Sequence, residues 1–231
     1  MSLENIELRG EVESYVESHL LPIKPSHTHA YDNSTKNGLP MIAVSPVQGQ
    51  FISMLAKLGG ARNILEVGTL GGYSSIWFAE AVHGKGKVTS IEIDEHNRQV
   101  AIDNLQHAGV KVPEEVEPIL GAGLDVLPKL VAEIQEGKRE PFDFVFIDAD
   151  WDNQWNYFDY GVKVARGKGS VVYVDNVVRE MFESGVVGNE EREKDACDLV
   201  AKVGRDDRVD SVVLQTVGAK SYDGFLMALV K

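Results

Sequence analysis

Residues 64–74 read Ile64-Leu65-Glu66-Val67-Gly68-Thr69-Leu70-Gly71-Gly72-Tyr73-Ser74, a short apolar run, a glycine turn and then a fresh helical pattern. A brief apolar run closed by glycines fits a buried strand. Glycines let the backbone approach a ligand closely, and the helix that follows offers free N–H groups and the positive end of its dipole. Alone the motif is weak, because dinucleotide-binding proteins place glycines in the same way. Two details separate it from theirs. The spacing from Gly68 is not G-x-G-x-x-G, and Glu66 stands where a pyrophosphate would be repelled. A carboxylate there suits a ligand with a cationic amine and a sulfonium, and S-adenosylmethionine carries both.

Downstream, apolar runs at 64–67, 88–93, 116–120, 142–147 and 170–174 alternate with helical stretches near 72–83, 95–108, 122–136 and 153–166. That alternation predicts a parallel sheet with helices on both faces, an α/β fold. After a charged helix near 189–203, two strand-like runs at 211–216 and 225–230 flank a turn-rich segment and predict a closing antiparallel hairpin. Upstream, Leu8, Val12, Tyr15, Val16 and Leu20 lie at helical spacing within 5–21, and a second helix is expected at 45–58. The polar stretch 25–38, with His27, His29 and Tyr31, fits a lid or partner-contacting arm and a solvated connector equally. With no repeat, low-complexity tract or linker, residues 1–231 read as one domain. Helices and an arm over 1–60 precede a core over 61–231.

Composition narrows the class. The 231 residues are 43% hydrophobic and 26% charged, ordinary for a soluble globular protein. No apolar run approaches the ~20 residues that span a bilayer, and the N-terminus lacks the pattern of a signal peptide. Cys197 is the only cysteine, which excludes intrachain disulfides and thiolate-rich metal sites. It reads as a small packed residue on a late helix. The chain is expected in the cytoplasm. Its 23 basic and 36 acidic residues give a net charge of −13, which argues against a nucleic-acid partner.

Glu92 ends the second strand, a position that holds ribose hydroxyls in such folds, about 20 residues past the glycine turn. Asp94 competes for that role, although a residue so placed more often caps the next helix. Gly121-Ala122-Gly123 borders an adenine or simply makes a tight turn, with equal weight. Ile147-Asp148-Ala149-Asp150 and Val174-Asp175-Asn176 put polar side chains at the ends of the fourth and fifth strands. Ligands of open α/β sheets bind outside these ends, so Asp148, Asp175 and Asn176 can converge beside the cofactor. Three oxygen donors without His or Cys suit a hard cation, Mg²⁺ first, with Mn²⁺ or Ca²⁺ as alternatives.

Taken together these residues resemble the cation-dependent O-methyltransferases that include the caffeoyl-CoA and catechol enzymes, and among them the small bacterial and fungal members. The resemblance runs from Gly38-Leu39-Pro40 and Ser45-Pro46-Val47-Gln48-Gly49-Gln50 through the glycine loop to Val174-Asp175-Asn176. It ends with Leu214–Gly218 and Tyr222-Asp223-Gly224-Phe225. It implies a seven-stranded Rossmann-like sheet, a homodimer, and methyl transfer to one of two vicinal hydroxyls on a small aromatic substrate. By the same resemblance Ser45, Glu66, Gly68, Ser74, Glu92, Gly123 and Asp150 contact S-adenosylmethionine, while Asp148, Asp175 and Asn176 hold the metal.

One position departs from that pattern. Relatives commonly carry lysine, a proposed general base, where this chain has Trp151. A reshaped substrate pocket, with Trp151 and Trp155 stacking on an aromatic ring and the metal acidifying the phenol, is favoured over loss of activity. The catalytic candidates are therefore Asp148 and Trp151. A nicotinamide-dependent oxidoreductase and a cofactor-binding protein without transfer activity are the alternatives.

Overall fold

The structure, a computed structural model, describes residues 7–22, 24–188 and 199–231. Strands β1 (Asn63–Val67), β2 (Lys87–Glu92), β3 (Val116–Leu120), β4 (Phe144–Ile147) and β5 (Val171–Val174) run parallel. Strands β6 (Val209–Val217) and β7 (Tyr222–Val230) form a hairpin whose β7 pairs antiparallel with β5. The sheet order is β3-β2-β1-β4-β5-β7-β6, the seven strands that the resemblance implied. The hairpin is longer than the sequence suggests. Polar Asp210 and Asp223 join it because β6 is an edge strand with a largely exposed face.

Alternation along each strand builds two cores. Leu65, Val67, Val145, Ile147, Val172 and Val174 face one side, where they meet α6 (Gly123–Gln135), α7 (Gln154–Val164) and α9 (Leu199–Val203). Ile64, Phe144, Phe146 and Tyr173 face the other, against α2 (Pro25–Lys36), α3 (Pro46–Leu58), α4 (Tyr73–Val82) and α5 (Glu95–His107). The two central strands are therefore buried at nearly every position, as a sheet covered on both faces requires. A short helix, α8 (Val177–Glu183), follows β5.

The segment 25–38 is not a solvated connector. Pro25 opens α2 at a position where proline is pre-organised for a helix. His27 and Ala30 are buried, and Asn33 Nδ2 donates to Asn104 Oδ1 of α5 at 2.8 Å. His27 packs on the Trp77 ring at 4.2 Å, and burial drives its pKa down to about 4. His29 stacks on His107. The first helix, α1 (Arg9–Leu20), buries none of its residues, and Leu8, Val12, Tyr15 and Leu20 of its apolar stripe are exposed. The expected helix near 189–203 is described only over Leu199–Val203; Cys197 lies outside the described residues. Among the described residues no helix is long and apolar enough to cross a membrane.

Phe146 is fully buried between Phe78 and Tyr173. Phe146→Ala is expected to lower stability by about 3–5 kcal/mol, the usual cost of such a cavity, as measured by denaturant unfolding. A loss below ~1 kcal/mol would show that the core beneath the sheet collapses around the gap.

Candidate active site

The sheet order reverses between β1 and β4, and crevices of open α/β sheets form at that point, beyond the strand ends. A cleft of about 1250 Å³ lies there. Its wall includes Ser45, Gly68, Ser74, Glu92, Gly123, Asp148, Asp150, Trp151, Asp175 and Asn176. Ten candidate residues scattered over the sequence thus share one cavity.

Gly68 begins the turn with φ +98°, and a Cβ on it would lie 1.9 Å from the Asp148 carbonyl oxygen. Only glycine lets the end of β1 sit this tightly against the end of β4. Glu66 breaks with expectation. It is wholly buried and does not line the cleft. Ser74 and Ser90 each donate to it at 2.5 Å, and Ser75 donates as well. Strand alternation turns Glu66 under α4, so it braces the loop from below. Burial raises its pKa to about 6 against the pull of the three hydroxyls.

Glu92 reaches the cleft. Its Oε2 accepts from the N–H groups of Thr69 and Leu70 at 3.2 and 2.7 Å, which fixes the loop, and Oε1 accepts from Asp94 N at 3.0 Å. Asp94 itself caps α5 through Asn97 N at 2.9 Å. Ser45 caps α3. Gly123 opens α6 with Tyr157 packed so closely that a Cβ would fall 2.7 Å from its ring. Tyr157 donates its hydroxyl to Asp150 at 2.5 Å, and Asp150 also accepts from Asn153 N at 3.1 Å.

At the ends of β4 and β5, Asp148 and Asp175 repel one another. Burial first, then the Glu66 charge, lifts Asp148 to about 7; burial and Asp148 lift Asp175 well above the carboxylate range. Gln48 donates to Asp175 Oδ2 at 2.8 Å. Asn176 adopts a left-handed backbone, φ 58°, uncommon outside glycine and often found at functional sites. Its Nδ2 donates to Asp223 Oδ2 at 2.9 Å, which leaves its amide oxygen as an acceptor. Two recessed acids and an amide oxygen form a donor set that fits a hard divalent cation. Among the described residues no group of three or more His, Cys, Asp or Glu is gathered to hold a metal.

Trp151 opens a short 3₁₀ turn, and the Arg179 guanidinium lies 5.5 Å from its ring. Trp155 stacks instead on Phe158 and does not line the cleft. Gln48, Tyr157, Lys220 and Asp223 line the cleft without having been singled out as site residues. Gln48 and Asp223 lay inside quoted motifs. Lys220 was hidden in the hairpin turn.

The sequence profile of the family described as O-methyltransferase matches residues 27–229. The chain belongs to the O-methyltransferase family. It is 44% identical over 226 residues to O-methyltransferase imqG of Aspergillus flavus, covering 95% of this chain and 90% of that one. A catechol O-methyltransferase of Mycobacterium tuberculosis is 39% identical over 227 residues, covering 96% of each. The crystal structure of the Bacillus cereus O-methyltransferase in complex with SAH superposes with a TM-score of 0.86 at 39% identity, covering 98% of this chain and 100% of that one. The fold is the Rossmann-like fold of S-adenosylmethionine-dependent methyltransferases, and the oxidoreductase alternative falls with this assignment.

Raised carboxylates make the folded protein bind protons more tightly than the unfolded chain does. Their contribution is present at low pH and is lost as pH rises through the folded values. For Glu66, from 4.5 to about 6, and Asp148, from 3.8 to about 7, the cation-free protein is expected to lose stability between pH ~4.5 and ~7. Asp148→Asn should flatten that decline in melting experiments run in chelator. An unchanged slope would mean that Asp148 is ionised across the range.

Proposed function

We propose that the protein transfers the methyl group of S-adenosylmethionine to one hydroxyl of a small aromatic vicinal diol, with a divalent cation held by Asp148, Asp175 and Asn176. The observation that carries this reading is the pair of recessed carboxylates beside an amide oxygen, next to the loop fixed by Glu92. Two carboxylates that each disfavour the other's ionisation are both charged readily only with a cation between them. The named activity of the Mycobacterium tuberculosis and Niastella koreensis relatives, catechol O-methylation, supports the substrate class.

The chain's own groups divide the work. Glu92 accepts from the ribose hydroxyls while its other lone pairs hold the loop. Ser45, Gly68, Ser74, Gly123 and Asp150 bound the rest of the cofactor's space. Gln48 fixes the rotamer of Asp175, and Asp223 fixes that of Asn176. A divalent cation, Mg²⁺ first, would supply Lewis acidity that chelates adjacent hydroxyls and lowers the pKa of one. The hydroxyl gives its proton to solvent, its oxygen bonds to the methyl carbon as the sulfur–carbon bond breaks, and neutral S-adenosylhomocysteine leaves. Orientation is the protein's chief contribution. Trp151 offers a ring face to the substrate and no proton acceptor. The working form is a homodimer, for which the exposed stripe of α1 offers an apolar surface.

The test is a panel of catechols and monophenols with labelled S-adenosylmethionine, with and without chelator. Catechols should be methylated, chelation should abolish turnover, and Mg²⁺ or Mn²⁺ should restore it. Asp148→Ala and Asp175→Ala should lose most activity yet bind cofactor. Full activity in a preparation shown by elemental analysis to be metal-free would overturn the cation assignment. Absence of turnover on every diol would instead leave a cofactor-binding protein without transfer activity.

Trp151→Ala should raise KM for the diol more than it lowers kcat, since it removes a stacking surface worth ~0.5–1.5 kcal/mol. A severe fall in kcat at constant KM would place the ring in transition-state positioning instead.

A further inference from the structure

The turn between β6 and β7 carries Lys220 into the wall of the cleft. Its ammonium donates to the Ala43 carbonyl at 2.7 Å and stands 5.8 Å from the Tyr31 ring. An ammonium has three donors. Among the described residues Lys220 makes no further hydrogen bond and no ion pair, whereas Lys24, Lys87, Lys163 and Lys231 each pair with a carboxylate. Two acids act on it through space, Glu13 and Asp148. Glu13 accepts instead from the Ala219 backbone N–H. Lys220 is exposed at the rim of the cleft, so its remaining donors are open to a ligand entering there.

Arg179 stands on the same wall. Its Nε bonds to Glu183 at 2.9 Å while its guanidinium lies by the Trp151 ring. A chain of net charge −13 thus sets two cations around the aromatic surface of its cleft, one of them without a carboxylate partner. Charge-assisted bonds to such a group are stronger than neutral ones.

We propose that Lys220, assisted by Arg179, recognises a carboxylate on the substrate, so that the preferred substrates are aromatic diols bearing an acid group. This rests on the diol reading above and narrows it. Lys220 acts as a specificity residue, holding the end of the ring remote from the reacting hydroxyl. The carboxylate of the cofactor's methionine portion has the same chemistry, and the experiment separates the two sources.

Binding of 3,4-dihydroxybenzoate and of its methyl ester is measured by calorimetry on protein loaded with S-adenosylhomocysteine and Mg²⁺. Turnover of both is measured in parallel. The wild type should bind the acid about tenfold more tightly than the ester, the effect of one hydrogen bond to a charged group. Lys220→Met should erase that preference, Lys220→Arg should retain it, and affinity for S-adenosylhomocysteine should be the same in all three. Equal binding of acid and ester by the wild type would overturn the proposal, even if both are methylated. A preference that survives Lys220→Met would overturn it too, as would a loss confined to S-adenosylhomocysteine affinity. Preferential binding of the acid that is lost in Lys220→Met, without any product, would support the carboxylate site while overturning methyl transfer.

Discussion

A carboxylate sealed from water organises the cofactor loop. Glu66 cannot be solvated where it sits, so Ser74, Ser75 and Ser90 must all turn their hydroxyls to it. Those bonds tie β1 to β2 and to the first turn of α4 in one polar knot beneath the glycines. Glu92 completes the arrangement from above by accepting the N–H groups of Thr69 and Leu70. The loop is therefore held on two sides by acids, and among the described residues neither forms a salt bridge with a basic side chain. Removing either would leave buried donors without acceptors, a larger penalty than the loss of the bond itself.

The same shortage of positive charge runs into the reaction centre. Asp148 stands within the field of Glu66, and Asp175 within that of Asp148. Lys220 eases the strain at Asp148 only through space. Gln48 contributes a dipole, which orients Asp175 without neutralising it. Such a centre is poised to take up positive charge, and the proposed ligands, a sulfonium and a divalent ion, both bring it.

The α/β alternation was legible because β1 to β5 are short, apolar and separated by helices of ordinary length. The convergence of Gly68, Glu92, Asp148 and Asp175 was legible because strand ends in a parallel sheet meet at one edge. The burial of Glu66 outside the cleft wall was not foreseen, although its period-two position, facing α4 with Ile64 and Phe146's side of the sheet, held the clue. The stretch 25–38 stayed ambiguous because its burial rests on few residues, His27 and Ala30, within a polar segment. Lys220 and Trp155 depended on three-dimensional placement: the first by the hairpin's register, the second by a helical turn that sends it to Phe158. The stripe on α1 was visible as a pattern, and Leu8, Val12, Tyr15 and Leu20 of it remain exposed.

The contact between Gly68 and the Asp148 carbonyl has an architectural consequence. Because backbone meets backbone there, the spacing between the ends of β1 and β4 is inherited from the sheet and has no slack for side chains to adjust. The floor of the cleft is thus a fixed gauge. The residues around it, Trp151 on its 3₁₀ turn, Tyr31 on α2 and Lys220 on the hairpin, hang from three separate elements that do not pass through that contact. Selectivity can drift among them while the gauge beneath stays the same, so one scaffold can be retuned to new acceptors by exchanging its rim alone.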